Sequence, residues 1–218
     1  MTGPGDFFDA VAARYDRVFS PSYRDTARDL AAITDRLQPG ALVIDAGCGT
    51  GRAFPHLCER GARVVALDAS SSMLRVAGAR ASAASVARLR CDLARRWPLR
   101  DGVADALVAL HAVLAHPIGD PWTLLRHVGG EIARVLRRGA LVAIDFPEPS
   151  FARASLTPLG GDWYRHLEPD GAAIDAFVPE PSRALEALGL PLSLEPCAHG
   201  VRAIGLTGPA LRSPSSRR

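Results

Sequence analysis

The stretch Val43-Ile-Asp-Ala-Gly-Cys-Gly-Thr-Gly-Arg52 constrains the fold more than any other part of the sequence. Two β-branched residues and an acid lead straight into glycines at alternate positions, Gly47, Gly49 and Gly51. A strand that ends this way must turn tightly into the next element. Pro55 follows, and its missing N–H is harmless in the first turn of a helix, where that donor has no partner. Strand, glycine turn and helix N-terminus in this order bring backbone N–H groups close to a ligand. The spacing departs from the nicotinamide fingerprint G-x-G-x-x-G, which would need glycine or alanine where Arg52 stands.

The rest of the chain supplies the sheet that such a turn requires. Short runs rich in Val, Leu and Ile recur at residues 41–45, 63–68, 88–92, 105–111, 139–146, 192–198 and 201–207. Stretches of helical period separate the first five, which favours a parallel sheet covered on both faces. The last two lie close together, as an antiparallel pair would. The expected fold class is therefore α/β: a seven-stranded, mostly parallel sheet with helices on both faces and the last strand antiparallel.

One helix is strongly signalled. Asp120 caps it, Pro121 suits its first position, Leu125, Val128, Ile132, Val135 and Leu136 form its stripe, and Gly139 ends it. Its Gly129-Gly130 pair is unfavourable in a helix interior. Phe7, Phe8, Val11 and Tyr15, with Phe19 after them, predict one amphipathic helix ahead of the first strand. Residues 179–188 read as a further helix. Residues 147–178, which hold Trp163-Tyr164-Arg165-His166, are too long for a plain connection and read as a functional insertion.

A chain of 218 residues with 48% hydrophobic and 22% charged residues can bury an ordinary core, which excludes intrinsic disorder and a disulfide mini-protein. One domain over residues 1–211 is expected, with a lid at about 5–37, a core at about 40–146 and the insertion at 147–178; residues 212–218 read as a disordered tail. The formal charge of +3 belongs to that tail, whose three arginines leave 23 basic against 23 acidic residues before it. Every basic residue is arginine, and lysine and asparagine are absent, which fits a GC-rich bacterial source. Four scattered cysteines without a leader ahead of them point to reduced thiols in a cytoplasm. The longest nearly apolar run, residues 106–118, contains His111 and His116 and is too short for a bilayer helix, so no membrane association is expected.

Three acids fall at consecutive strand ends. Asp45 lies two residues before Gly47, Asp68 follows Gly47 by 21 residues, and Asp92 closes the third run. A carboxylate at the second position accepts both hydroxyls of an adenosine ribose, and one at the third accepts from an exocyclic amine. An aspartate closing a strand also serves as a plain turn former.

These residues resemble the class I S-adenosylmethionine-dependent methyltransferases over most of residues 7–146. Asp45 to Gly51 matches the D-x-G-x-G-x-G motif, and Leu67-Asp-Ala-Ser-Ser-Ser-Met-Leu74 is similar to the D-x-S-x-x-M-L segment. Cys91-Asp92-Leu93 resembles the adenine-contacting motif, and Pro98-Leu-Arg-Asp-Gly-Val-Ala-Asp105 the turn before the fourth strand. Ala133-Arg-Val-Leu-Arg-Arg-Gly-Ala140 is similar to R-V-L-x-P-G-G, with Arg138 and Ala140 replacing proline and the second glycine. Phe7-Phe-Asp-Ala-Val-Ala-Ala-Arg-Tyr-Asp16 looks like the N-terminal lid. The resemblance implies a Rossmann-like fold and S-adenosyl-L-methionine as cofactor, with S-adenosyl-L-homocysteine as product.

It also implies roles. The backbone of Gly47, Cys48, Gly49 and Gly51 approaches the methionine part, Asp45 bonds near its amino end, and Asp68 takes the ribose. Ala69, Met73 and Leu93 flank adenine with Asp92 at its amine, Tyr15 covers the sulfonium or the acceptor, and His111 lines the pocket. Met73 equally suits a helix core, and Tyr15 equally suits packing of the first helix.

Methyl transfer from a sulfonium rests first on alignment, which supplies roughly 7–11 kcal/mol. A base matters only for an acceptor that is protonated at working pH. His111 and His116 flank the end of the fourth strand and are the candidates, with Asp145 and Glu148 in reserve. His116 also reads as a hydrogen-bonded residue before Pro117. Phe146, Trp163, Tyr164 and His166 are expected to line the acceptor pocket, although the aromatics would also serve simply to pack the insertion. The expected acceptor is a small organic molecule methylated on O, N or C, in a setting that bacterial secondary metabolism would fit. No metal and no nucleic acid are expected; monomer and homodimer both remain open. Two alternatives stand: an RNA methyltransferase using Arg88, Arg90, Arg95, Arg96 and Arg100, or a non-catalytic cofactor-binding partner subunit.

Overall fold

The computed structural model describes residues 4–19, 26–80, 85–167, 171, 173–197 and 200–208. The expected tail at 212–218 lies outside them. At the N-terminus the single expected helix divides into α1 (Pro4–Val11) and α2 (Tyr15–Phe19), followed by α3 (Thr26–Thr34). The break is local: the N–H groups of Arg14 and Tyr15 bond to carbonyls three residues back, which closes the helix and redirects the chain.

The strand and helix alternation then follows the sequence: β1 (Leu42–Ala46), α4 (Phe54–Glu59), β2 (Arg63–Asp68), α5 (Ser71–Ala77), β3 (Val86–Arg90), β4 (Ala104–Ala109), α6 (Pro121–Val135) and β5 (Leu136–Pro147). After an inserted segment come α8 (Pro181–Leu188), β9 (Ser193–Cys197) and β10 (Gly200–Leu206); the segment itself forms α7 (Pro149–Ser155) and the strands β6 (Thr157–Gly160), β7 (Trp163–Leu167) and β8 (Ala173–Phe177). The main sheet has the order β3-β2-β1-β4-β5-β10-β9. Its first five strands are parallel, and β10 runs antiparallel to both β5 and β9.

Both faces are buried, as the continuous apolar runs require. Val43 packs with Leu30, Phe54 and Leu57 on one face, while its neighbour Ile44 packs with Leu107, Val128 and Ile132 on the other. The strand order reverses between β1 and β4, which leaves a crevice at the carboxyl ends of these strands. No helix among the described residues is long and apolar enough to cross a membrane.

Two features of α6 differ from the reading of the sequence. Its cap is as expected, Asp120 accepting from the Thr123 N–H at 2.8 Å, but Gly139 does not end it. The helix runs directly into β5, and Gly139, with φ 75°, sits in a bulge where Ala104 pairs with Leu136 and Ala106 with Leu141.

The Gly129-Gly130 pair has two different meanings. A Cβ on buried Gly129 would overlap the carbonyl oxygen of Leu188 in α8, whereas Gly130 is exposed and open. Gly129 is thus what lets α8 lie against α6. Gly129→Ala should lower stability by about 1–2 kcal/mol, because overpacking against backbone outweighs the propensity gain. Gly130→Ala should raise it by about 0.5–1 kcal/mol. Urea midpoints of the two variants moving in opposite directions check this.

The inserted segment forms its own antiparallel sheet, β6-β7-β8. Arg165 and Asp175, which face each other in the β7 and β8 register, form a bidentate pair at 2.6 and 2.9 Å. Ile174 of β8 packs under α1 with Phe7 and Val11. The small sheet and the N-terminal helix therefore meet above the crevice.

Candidate functional site

The crevice opens into a cleft of about 1010 Å³, at the upper end of the range of small-molecule sites. Its floor is the glycine loop. Gly47, Gly49 and Gly51 have φ of 72°, 51° and 76°, the left-handed region that glycine alone enters freely. A Cβ on Gly47 would fall inside the Val113 side chain, while one on Gly49 would meet nothing within 4 Å. The first glycine admits the chain that follows β4, and the second leaves open space. Gly47 and Cys48 donate to the Leu67 carbonyl at 2.7 and 3.0 Å, which pins the loop to β2.

Asp68, at the end of β2, completes this closure. Its Oδ2 accepts from the Gly49 N–H and its Oδ1 from the Ser70 N–H, each at 2.8 Å. Two carboxylate oxygens with one bond each retain acceptor capacity for two further donors. Burial, with the Asp9 charge adding to it, raises its pKa above the ordinary carboxylate value, and backbone N–H groups, chiefly those of Ser70 and Gly49, oppose that rise.

Asp45 is different. It is 4% exposed, and among the described residues nothing donates to its carboxylate. Burial, reinforced by the charge of Asp68, raises its pKa to about 7. A buried carboxylate aimed into a cleft without a partner is a costly feature unless a ligand supplies the donor.

Asp92 lies two residues beyond β3, where it accepts from the Ala94 N–H at 2.9 Å while lining the cleft beside Leu93. It is a turn former and a wall residue at once. The same duality holds for Met73, which is 1% exposed, packs with Phe7 and Val11, and still borders the cleft next to Ala69.

The roof comes from the N-terminus. Phe8 and Tyr15 line the cleft and meet edge to face at 6.3 Å. Two aspartates hold this roof down. Asp9 accepts from Ser70 Oγ at 2.6 Å and from the Ser72 N–H at 2.8 Å; Asp16 accepts from Thr50 Oγ1 at 2.8 Å and from Arg80 at 2.6 Å. Each latch ends on the glycine loop or on the segment after Asp68.

On the opposite wall, His111 and Ala112 follow β4 with φ of 60° and 62°. Left-handed backbone costs an L-residue roughly 1–2 kcal/mol, and here it turns the chain so that Val113 seats on Gly47. His116 lines the cleft a few residues on. Its Nδ1 lies 3.0 Å from the Asp175 carbonyl of β8, and its ring meets Phe8 at 5.5 Å. Since a carbonyl only accepts, Nδ1 carries the proton and Nε2 is the basic nitrogen of the neutral ring. Burial is the main cause that lowers the His116 pKa, with His166 adding to it and the Asp175 carbonyl opposing it.

Most residues singled out in the sequence border this one cleft: Tyr15, Asp45, Gly47, Cys48, Gly49, Asp68, Ala69, Met73, Asp92, Leu93, His111, His116, Phe146 and His166. Three do not. Gly51 faces Phe54 of the helix that follows it, α4, a Cβ there falling 2.5 Å from the ring. Trp163 lies on the other face of β7, with its ring 5.4 Å from that of Phe177, which in turn meets Trp122 at 5.1 Å. Tyr164 shares a strand face with His166, but it is buried among Ala115, Ala152 and Ala176, leaving His166 alone to reach the cleft.

Of the reserve acids, Asp145 is locked by Arg202 at 2.6 and 3.1 Å in a pair 4% and 2% exposed, and Glu148 accepts from Ser150 Oγ at 2.9 Å. The arginine cluster is divided: Arg88 donates to the Leu74 carbonyl, Arg90 to that of Ala69, and Arg95 pairs with Asp92. The sequence reading missed Phe151, Ile174, Ala176 and Val178 as wall residues. Their only signal was apolar alternation in the insertion, which does not reveal which face a strand turns inward.

Comparison with known proteins points to methyltransferases. The methyltransferase domain family matches residues 44–144. Trans-aconitate 2-methyltransferase of Azoarcus sp. (strain BH72) is 36% identical over 172 residues, covering 76% of this chain and 61% of that protein. Malonyl-[acyl-carrier protein] O-methyltransferase of Serratia marcescens is 31% identical over 188 residues, covering 82% and 67%. The chain thus spans about three fifths to two thirds of the length of these relatives. Among solved structures, the DhpI-SAH complex superposes with a TM-score of 0.70 at 25% identity, covering 95% of this chain and all of that one.

Proposed function

The chain belongs to the class I S-adenosylmethionine-dependent methyltransferases, and from that premise we propose that it is the enzyme of a small organic acceptor in a bacterial cytoplasm. The reading rests above all on Asp68, whose two oxygens each hold one loop N–H and keep capacity for the two ribose hydroxyls. Asp45 meets the ammonium of the methionine part, and the open space above Gly49 admits its backbone contact. Ala69, Met73 and Leu93 enclose adenine, with Asp92 at its amine. Tyr15 and Phe8 close over the sulfonium, so that water is excluded from the reacting methyl.

The methyl group is already activated, so the chain's task is alignment. The acceptor enters beside Phe146 and His166. His111 borders the donor, and His116 is the proton acceptor where the substrate needs one. Residues 1–211 act as one catalytic unit of lid, core and insertion.

Calorimetric titration with S-adenosyl-L-homocysteine, followed by a transfer screen with methyl-labelled donor, tests this. Micromolar binding and a labelled small product are expected. Tight uptake of a nicotinamide nucleotide with no response to the adenosyl ligand would overturn it. Binding without turnover across the screen would favour a cofactor-binding partner subunit.

A further inference from the structure

On the reading that the glycine loop holds the methyl donor, we infer that the acceptor is an uncharged, largely apolar hydroxyl compound, and that His116 takes its hydroxyl proton through Nε2 while the Asp175 carbonyl fixes the tautomer. The inference names a substrate class for the far half of the cleft, where the family alone prescribes none.

The wall of that half is made by Phe146, Phe151, Leu156, Ile174, Ala176 and Val178. Such a surface gains from burying hydrocarbon and loses from burying an unpaired charge. The charged groups near it are already committed. Asp145 and Arg202 neutralise each other below Phe146, and Arg165 and Asp175 do so across the small sheet. The two arginines that border the cleft, Arg52 and Arg90, belong to the glycine loop and the end of β3, at the donor's end. A carboxylate acceptor would therefore lack a guanidinium partner among the described residues of this half. An ammonium acceptor would find only exposed carboxylates, Glu148, which holds Ser150, and Asp6 of α1 at the cleft's edge, both screened by water.

A hydroxyl fits what remains. It carries no charge into the apolar wall, but an un-ionised oxygen is a weak nucleophile and needs its proton removed as it attacks. His116 is built for that step. Its Nδ1–H donates to the Asp175 carbonyl at 3.0 Å, so the ring cannot flip without losing a bond, and Nε2 is left to accept. The groups facing it are His166 from β7, the Asp175 backbone from β8 with its side chain turned to Arg165, and the uncharged Phe8 from α1. None of them is an anion free to raise its basicity, and burial keeps it neutral at working pH.

The reaction balances without any further reagent. The acceptor oxygen attacks the methyl carbon, the carbon–sulfur bond breaks, and its electron pair stays on sulfur as the thioether product. The O–H proton passes to His116 Nε2, and the resulting imidazolium returns it to water after product leaves.

The test uses three probes of one shape: 2-naphthol, 2-naphthoic acid and 2-naphthylmethylamine, each incubated with full-length protein and S-adenosyl-L-methionine. S-adenosyl-L-homocysteine binding is measured in parallel, and its absence would sink the donor reading itself rather than this inference alone. With the donor bound, the expected product is the naphthyl methyl ether. His116→Gln should lower kcat by about 10²–10³-fold with adenosyl-ligand affinity unchanged. With S-adenosyl-L-methionine saturating at every pH, wild-type kcat/KM for the naphthol should rise with pH through a midpoint below 6.5 and then level, and the variant should lose that limb. Preferential methylation of the acid or the amine overturns the inference, as does a His116→Gln enzyme within threefold of wild type that keeps the limb. If no probe is methylated, binding to the homocysteine-loaded protein decides: tighter binding of the naphthol than of the other two supports the inference, and any other ranking overturns it.

Discussion

Asp45→Asn should make the ligand-free protein more stable at pH 8 and, in the same molecule, cost most of its affinity for the adenosyl cofactor. The two effects share one cause. In the folded chain burial raises the Asp45 pKa from 3.8 to about 7, so the native state holds that proton more tightly than the unfolded state does. Stability must then fall as pH rises through the interval between those values, by up to about 1.4 kcal/mol per pH unit, and level off above 7. Asparagine removes the ionisation. The gain at pH 8 should be about 4 kcal/mol and should fall below about 1 kcal/mol at pH 4, where the carboxyl is protonated in the folded protein. Thermal melts of both proteins at the two pH values read it directly.

The binding half has the opposite sign. An ammonium brought to Asp45 favours the ionised carboxyl, so wild-type affinity should weaken by up to tenfold per unit as pH drops below 7 and stay flat above it. Around pH 7 binding should release a fraction of a proton, visible as a buffer-dependent calorimetric enthalpy. Asp45→Asn should bind about 10–100-fold more weakly at pH 8, the worth of one charge-assisted hydrogen bond, and show no such slope. A wild-type affinity that is equal at pH 5.5 and 8 would remove Asp45 from the ligand's amino end.

This aspartate also marks where the sequence stopped being legible. Period and punctuation sufficed for the sheet: runs at 63–68 and 201–207 fall within a residue of β2 and β10, because the middle of a strand buried on both faces is written mainly in apolar residues. Glycine spacing located the loop, and acids at strand ends located the floor. None of this revealed that Asp45 has no donor among the described residues, since a missing partner is a property of the assembled surroundings. The insertion was less legible for a related reason. In β7 Trp163 and Arg165 share one face and Tyr164 and His166 the other, and only packing decides which face meets the cleft and that Tyr164 is buried short of it among Ala115, Ala152 and Ala176. At Gly129 a poor helix former survives because Leu188, far along the chain, needs the space. In each case a contact distant in sequence overrides the local signal.

Asp68 carries the second large effect, because one side chain serves both the loop and the sugar. Asp68→Ala removes the acceptor from the Gly49 and Ser70 N–H groups and, on the proposed reading, two hydrogen bonds from the ribose. Charge-assisted bonds of about 1.5–3 kcal/mol each predict a loss of adenosyl-ligand affinity of roughly a hundredfold or more. Asp68→Asn separates the two duties. Its amide oxygen can replace only one carboxylate oxygen, so its NH₂ must face either the Gly49 N–H or the Ser70 N–H, donor against donor. The asparagine variant should therefore loosen the loop nearly as much as alanine, with faster hydrogen exchange at Gly49, while retaining part of the ribose recognition. Affinity in the order wild type, then Asn, then Ala, with both variants sharing the exchange phenotype, is the expected pattern. If instead both variants exchange faster at Gly49 yet bind the nucleoside within fivefold of wild type, Asp68 only closes the loop, and the sugar must be held elsewhere.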